Sequence, residues 1–297
     1  MERLDSVQLD FPDPGKGWSW QYGQADQPLQ ATQADQVRIS YLSLAWEEYG
    51  VTTAFSARGG GVSAKPYDTL NLGLHVGDLA QDVLENRRRF GQLMSISAQE
   101  CVVSEQVHGV RIAQVGEAHG EAGMLDKASA VAGCDALATQ ERVGLMAFFA
   151  DCVPLFFCDP KTHWVALAHA GWRGSAAGMA RVMVEFLIGK GCQVPDIRAG
   201  IGPCVGSCCY EVDEAVVEAF REGIPGFSHY AHSRPDGKYA LDLQEANRLE
   251  LVRAGLEESH IASASLCTAC HGSEFFSYRK NSRTGRMAGF IRRRGGS

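Results

Sequence analysis

The stretch that most constrains this chain is residues 145–174, L-M-A-F-F-A-D-C-V-P-L-F-F-C-D-P-K-T-H-W-V-A-L-A-H-A-G-W-R-G. It holds three short apolar runs. Residues 145–150 stop at Asp151-Cys152, residues 153–158 stop at the turn signal Asp159-Pro160, and residues 164–168 stop at His169. Runs of this length, rich in Phe, Val and Leu and closed by turn residues, predict buried strands. A carboxylate, a thiol and an imidazole at the ends of such strands cost free energy unless they have partners or a task. Strand ends facing a crevice are also where α/β sheets place their ligands. Asp151, Cys152 and His169 are therefore the expected nucleus of a site.

The flanking sequence reads as alternating strands and helices. Residues 51–55 predict a strand that runs into S-A-R-G-G-G-V-S. Without a phosphate-loop or dinucleotide-loop context, that glycine run reads as a flexible loop. Residues 78–94 predict a helix capped by Asp78 or Asp82, with Leu84, Phe90, Leu93 and Met94 on its apolar face. Asn86 and Arg87 to Arg89 interrupt that face. Such a charge run reads as solvated surface, although one arginine turned inward would be a ready anion ligand. Residues 101–103 are apolar and lead to His108, which alone reads as a hydrogen-bonded structural histidine.

Residues 175–190 predict a helix, with Met179, Val182, Met183, Phe186 and Leu187 on one face and Ser175 as its cap. It follows directly on G-W-R-G, so free backbone N–H groups, a positive helix end and Arg173 would form an anion site. Residues 197–201 predict a strand, and residues 213–220 and 242–254 predict helices, the second capped by Asp242 with Glu245 three residues on. Residues 1–36 lack pattern and read as an extension with little packing. Residues 37–297 then form one α/β domain of strands alternating with helices.

Composition narrows the function classes. A net charge of -7 gives no support to nucleic-acid or anionic-membrane binding. The one basic cluster, Arg292 to Arg294, reads as a solvated tail. No stretch has the length of a membrane span and the N-terminus lacks a signal-peptide pattern, so ten cysteines read as reduced thiols and the expected location is cytoplasmic.

His108, Cys152 and His169 supply three N/S donors, the set a catalytic zinc site with an open fourth position needs. Their wide spacing does not by itself recruit them. Cys152 as a nucleophile with His169 as its base is an equal reading of the same two residues. C-T-A-C-H at residues 267–271 fits the c-type haem attachment pattern, but that attachment needs export, and the match reads as coincidence. Cys204, Cys208 and Cys209 are a possible further metal set without visible partners.

Seven motifs then appear in order: F-S-A-R-G-G-G-V-S-A-K-P-Y-D-T-L-N-L-G-L-H-V-G-D, E-N-R-R-R-F, Q-V-H-G, A-D-C-V-P-L, H-A-G-W-R-G, C-C-Y-E-V and F-F-S-Y-R-K-N-S-R-T-G-R-M-A. Together, over residues 51–291, they resemble the laccase-domain (polyphenol oxidase, YfiH-type) proteins, which are regarded as purine nucleoside phosphorylases. The resemblance implies a single α/β domain with mixed β-sheets flanked by helices, similar to the catalytic domain of cytotoxic necrotizing factor toxins. It implies a zinc site on His108, Cys152 and His169 and a functional arginine at Arg87. It also implies phosphorolysis of adenosine, inosine and methylthioadenosine, with adenosine deamination. Copper and a laccase label attach to the family too, but nine histidines with no H-x-H pair argue against a copper cluster.

On that reading Arg87, Arg173 and the helix start after Gly174 would hold phosphate. Asp151 would move protons in deamination or orient His169. Two rival readings are a Cys152/His169 amidohydrolase editing peptidoglycan precursors and a zinc-stabilised binding protein without turnover.

Overall fold

The computed structural model describes residues 13–24 and 38–294. Two mixed six-stranded sheets carry the chain. The first runs in the order β1 (Trp18–Gln24), β2 (Arg38–Leu44), β3 (Val51–Ser56), β15 (Met287–Arg293), β7 (Gly144–Phe149) and β4 (Cys101–Val103). Every neighbour is antiparallel except β4 with β7. The second runs β14 (Ile261–Ser263), β10 (Arg198–Ile201), β8 (Val153–Cys158), β9 (Val165–Ala170), β6 (Ala136–Thr139) and β5 (Ile112–Gln114), with parallel pairing only at its two edges. A small sheet of β11 (Glu211–Val212), β13 (Tyr239–Leu241) and β12 (Ala231–Ser233) completes the set.

Period-two alternation explains the layering. Leu145, Ala147 and Phe149 of β7 face Phe156 and Cys158 of β8 and Val165 and Leu167 of β9 in a core between the two sheets. Met146 and Phe148 point the other way and meet Phe90 and Met94, on and just beyond α1 (Ala80–Leu93). Leu155 and Phe157 of β8 meet Met179, Met183 and Leu187 of α3 (Met179–Gly189), which packs beside α6 (Leu243–Arg253); α4 (Glu214–Gly223) and the short α5 (Phe227–Tyr230) add residues to the same core. With both faces covered, these strands read as continuous apolar runs. No helix among the described residues is long and apolar enough to cross a membrane.

Several expectations need correction. Within residues 1–36, Trp18–Gln24 is the edge strand of the first sheet and Trp18 is buried in the inter-sheet core. Residues 1–12 and 25–36 lie outside the described residues. The helix expected over residues 175–190 is two segments, α2 (Trp172–Ala176) and α3, separated by Gly178 in the left-handed region at φ +78. Ser175 does not cap it: its hydroxyl donates to the Ala170 carbonyl and accepts from Asn247. The basic cluster at Arg292 to Arg294 is not a free tail. Arg292 and Arg293 end β15, Arg292 pairs with Glu100 at 2.7 Å, and the Arg294 N–H donates to Gly50. Asp242 does cap α6 as expected, accepting from the Glu245 N–H at 3.0 Å.

Candidate metal centre and active site

The chain leaves the first sheet at Phe149 and enters the second at Val153, so residues 150–152 bridge the two sheets. Asp151 makes that crossing at φ +90, a conformation that L-residues rarely hold. Its carboxylate anchors the turn: Oδ1 accepts from the Thr268 hydroxyl and Oδ2 from the Arg279 N–H, both at 2.6 Å. Cys152 is thereby set beside β9, where His169 lies opposite Pro154 of β8. His108 arrives from the loop after β4 with φ +64. One ligand atom from each of His108, Cys152 and His169 lies within 4.8 Å of the other two. The two imidazole rings stand 4.9 Å apart at 80°.

Asp135, fully buried just before β6, builds this triangle. Its carboxylate accepts the backbone N–H groups of His108 and Gly109 at 2.7 Å and of Val107 at 3.2 Å, and the His169 Nδ1–H at 3.0 Å. Its own carbonyl accepts the His169 N–H at 2.8 Å. One buried acid therefore fixes the His108 loop and leaves Nε2 of His169 to face Cys152. Burial alone would raise the Asp135 carboxyl, but the bonds from His169, Gly109 and His108 hold it below its ordinary value. Burial also works against ionisation of Cys152. The charge of His169 and hydrogen bonds from both histidines outweigh it and bring the thiol down to about 6. His169, opposed by burial and favoured by Cys152 and Asp135, rises to about 9.

The donor set fits one metal ion. Bonds of about 2.0–2.3 Å at tetrahedral angles separate ligand atoms by about 3.3–3.8 Å, inside the spread seen here. A carboxylate behind the far nitrogen of a ligand histidine is the usual orienting partner. Gly171 leaves the space: a Cβ there would stand 2.8 Å from His108 Cδ2 and 3.3 Å from Cys152 Sγ.

The triangle opens on a cavity of about 730 Å³ lined by Phe148, Trp172, Tyr210 and Tyr278 and by Arg173, Arg279 and Arg286. Arg279 stacks over Tyr210 at 4.8 Å and Arg173 over Trp172 at 4.2 Å. His75 also lines the cavity and is exposed to solvent. Packing around its ring, and then the positive charges of Arg286, Arg87 and His169, lower it to about 4 and keep it neutral at physiological pH.

Of the residues named from sequence, His108, Cys152, His169, Asp151 and Arg173 line this one cavity. Arg87 does not. Its guanidinium is buried and donates to the carbonyls of Leu72, Gly123 and Met124 at 2.7–2.8 Å, and it stacks on Phe148 at 4.4 Å, behind the cavity wall. Neighbouring Asn86 is buried as well and bonds Val62, Ser63, Thr69 and Asn71, so the run expected to be solvated largely points inward. Nor does Asp151 orient His169, because Asp135 holds that position. Sequence reasoning missed Asp135, yet the same signal marks it: a lone acid at the mouth of the apolar run A-L-A. His75, Tyr278, Arg279 and Arg286 come from loops with no period to read.

The family model described as multi-copper polyphenol oxidoreductase laccase matches residues 52–294. The chain belongs to this laccase-domain family. The purine nucleoside phosphorylase YlmD of Geobacillus stearothermophilus is 44% identical over 250 residues, covering 82% of this chain and 91% of that protein. The crystal structure of YlmD from that organism superposes with a TM-score of 0.83 at 40% identity, over 91% of this chain and 99% of that one. Adenosine deaminase RL5, from an unknown prokaryotic organism, is 32% identical over 246 residues, covering 82% of this chain and 94% of that protein. In this laccase-domain chain the triangle, Asp135 and the whole cavity wall fall inside the matched residues, whereas Trp18–Gln24 falls outside them.

Proposed function

We propose that the chain is a zinc-dependent purine nucleoside phosphorylase that also deaminates adenosine. The observation that carries this reading is the His108–Cys152–His169 triangle in the wall of a cavity rich in aromatic rings and arginines. The names of the Geobacillus and RL5 relatives support the two activities. Cys152 and the two histidines would hold the zinc, which would supply a Lewis acid on the cavity side.

The remaining work falls to the chain's own groups. Phe148, Tyr210 and Tyr278 offer ring faces to a purine. The Tyr210 hydroxyl, pushed up to about 12 by burial, stays a hydrogen-bond donor at neutral pH. Arg173, Arg279 and Arg286 offer guanidinium donors to phosphate. Neutral His75 adds no charge against them. In phosphorolysis the N9–C1′ bond breaks, a phosphate oxygen bonds to C1′, and the products are free base and the sugar 1-phosphate: ribose 1-phosphate from adenosine or inosine, 5-methylthioribose 1-phosphate from methylthioadenosine. In deamination water replaces the 6-amino group, which leaves as ammonia. Asp151, with both oxygens engaged, positions the Thr268 and Arg279 side of the wall.

The test is direct. Purified protein is incubated with adenosine, inosine and methylthioadenosine, with and without phosphate, and the products are identified. Free base and the corresponding sugar 1-phosphate should form only with phosphate, and inosine should form from adenosine without it. Absence of phosphate-dependent base release from all three nucleosides would sink the phosphorylase reading. Metal analysis of the same sample separates zinc from copper. No histidine beyond His108 and His169 joins a metal-competent group among the described residues, which disfavours a copper cluster and phenol oxidation.

One observation favours a second reading. Cys152, His169 and Asp135 also form a nucleophile, base and orienting acid, and the thiol sits at about 6. An amidohydrolase editing peptidoglycan precursors would use that set and need no phosphate. The closeness of His108 to the same thiol has no role in such a triad, and it favours the metal.

A further inference from the structure

Far from one another in sequence, Cys208 and Cys209 meet Cys267 and Cys270 at the surface, outside the cavity lining. The four sulfurs all lie within 4.8 Å of one another. Cys270 Sγ stands 3.4 Å from Cys208 Sγ and 3.5 Å from Cys209 Sγ. We propose that these four cysteines bind a single zinc ion as a tetrathiolate, a site distinct from the His108–Cys152–His169 triangle.

Three observations converge on one small ion. First, zinc–sulfur bonds of about 2.3 Å at tetrahedral angles place sulfurs about 3.8 Å apart, the scale of the cluster. An iron–sulfur cubane attaches each thiolate to a different iron and needs a wider frame. A disulfide needs one preferred partner, and Cys270 is almost equidistant from two.

Second, the backbone is shaped around the sulfurs. The Gly206 N–H donates to Cys267 Sγ at 3.2 Å, the kind of N–H···S bond that steadies a metal-bound thiolate. A Cβ on Gly206 would stand 3.2 Å from Cys267 Cβ and 3.3 Å from Cys208 Sγ. Third, the two loops are already stitched together. The backbones of Cys204 and Cys267 pair in an isolated parallel β-bridge, and the Thr268 N–H donates to the Cys204 carbonyl at 2.9 Å. The two cysteines of each loop therefore face each other across a fixed gap.

The position gives the ion a task. Tyr210 follows Cys209 directly, and Thr268 sits between Cys267 and Cys270 and holds Asp151. A tetrathiolate would lock the loop carrying Tyr210 to the segment that leads to Tyr278 and Arg279. It would act as a staple behind the cavity wall without touching substrate.

The experiment is zinc quantification with sulfur-coordination analysis at the zinc absorption edge, on the full chain. The Cys152→Ala protein should retain about one zinc ion per chain, surrounded by sulfur alone. Adding Cys208→Ser and Cys270→Ser should remove it. Equal zinc in the wild type and the Cys152→Ala protein, all of it sulfur-bound, would support this site and count against a metal on the triangle. That keeps the two readings separable. Cys152→Ala protein free of zinc would overturn the proposal, as would iron with acid-labile sulfide or a Cys208 or Cys209 disulfide to Cys270 in the intact mass. Should the serine variant fail to fold, cobalt exchange into wild-type protein gives the second measurement. A tetrathiolate produces intense sulfur-to-cobalt charge transfer, and its absence from wild-type and Cys152→Ala protein alike would also overturn the proposal.

Discussion

The Nδ1 atom of His169 lies 3.0 Å from the same Asp135 oxygen that accepts the His108 N–H at 2.7 Å. One buried oxygen thus sets the ring of one candidate ligand and the backbone of another. Asp135→Asn keeps the shape but removes the charge, and its amide cannot accept at both former oxygens. Outer-shell carboxylates of this kind are worth about 10–100-fold in metal affinity. Asp135→Asn should lose that much zinc affinity in competition with a chelator while keeping its far-ultraviolet circular dichroism. Unchanged affinity would mean that Asp135 is only a core acid.

Gly171 supplies a steric test. Its φ of -65 is open to any residue, so Gly171→Ala adds no backbone strain. Its methyl group would still stand 2.8 Å from His108 Cδ2, closer than a Cβ tolerates. The variant should bind less zinc and lose activity with little change in thermal midpoint. Gly189→Ala is the control, because nothing lies within 4 Å of a Cβ there, and its metal content should match the wild type. Equal metal content in both variants would remove Gly171 from the account.

The double-covered strands β7, β8 and β9 were legible because burial on both faces makes a run wholly apolar. The edge strand β1 was not read, because its few aromatics beside polar sequence showed no periodicity and looked like an extension. The break at Gly178 was not read either, since the apolar face begins only at Met179 and the positive φ of Gly178, which separates α2 from α3, leaves no mark in the short run S-A-A-G. At the site, Cys152 and His169 stood out as polar groups at strand ends. His108 needed the family resemblance, because nothing local distinguishes a ligand histidine from a structural one. The facing of Arg87 within N-R-R-R depends on carbonyls more than thirty residues away, at Gly123 and Met124. No local pattern encodes that.

Glu85 on α1 gives a pH prediction. Its carboxylate accepts from Arg88 at 2.7 Å and from Arg89 at 2.8 Å. The Arg88 hydrogen bond chiefly pulls it from 4.5 to about 2. The folded value lies below the unfolded one, so the contribution is present above about pH 4.5 and fades as pH falls toward 2. The side chain is 29% exposed, and solvent screening limits the effect to about 1 kcal/mol. Glu85→Gln should therefore lower the urea midpoint relative to wild type at pH 7, and the gap should shrink as pH falls from 5 to 3. A gap independent of pH would show that the pairs contribute nothing.

Arg87 and Arg173 separate folding from phosphate binding. Arg87 is 4% exposed and satisfies three carbonyls, so its removal leaves buried acceptors without donors. Arg87→Leu should cost about 3 kcal/mol of stability by denaturant titration. Arg87→Lys should recover only part, since an ammonium lacks the planar fork that reaches Leu72 on one side and Gly123 and Met124 on the other. Neither change places or removes a group in the cavity, so KM for phosphate at a temperature where the variants are folded should stay near the wild-type value. Arg173→Gln should do the reverse: it stacks on Trp172 at the cavity wall, and its loss should raise KM for phosphate about tenfold or more with little change in stability. A phosphate KM that rises for Arg87→Lys and not for Arg173→Gln would reverse the assignment and return Arg87 to the anion site.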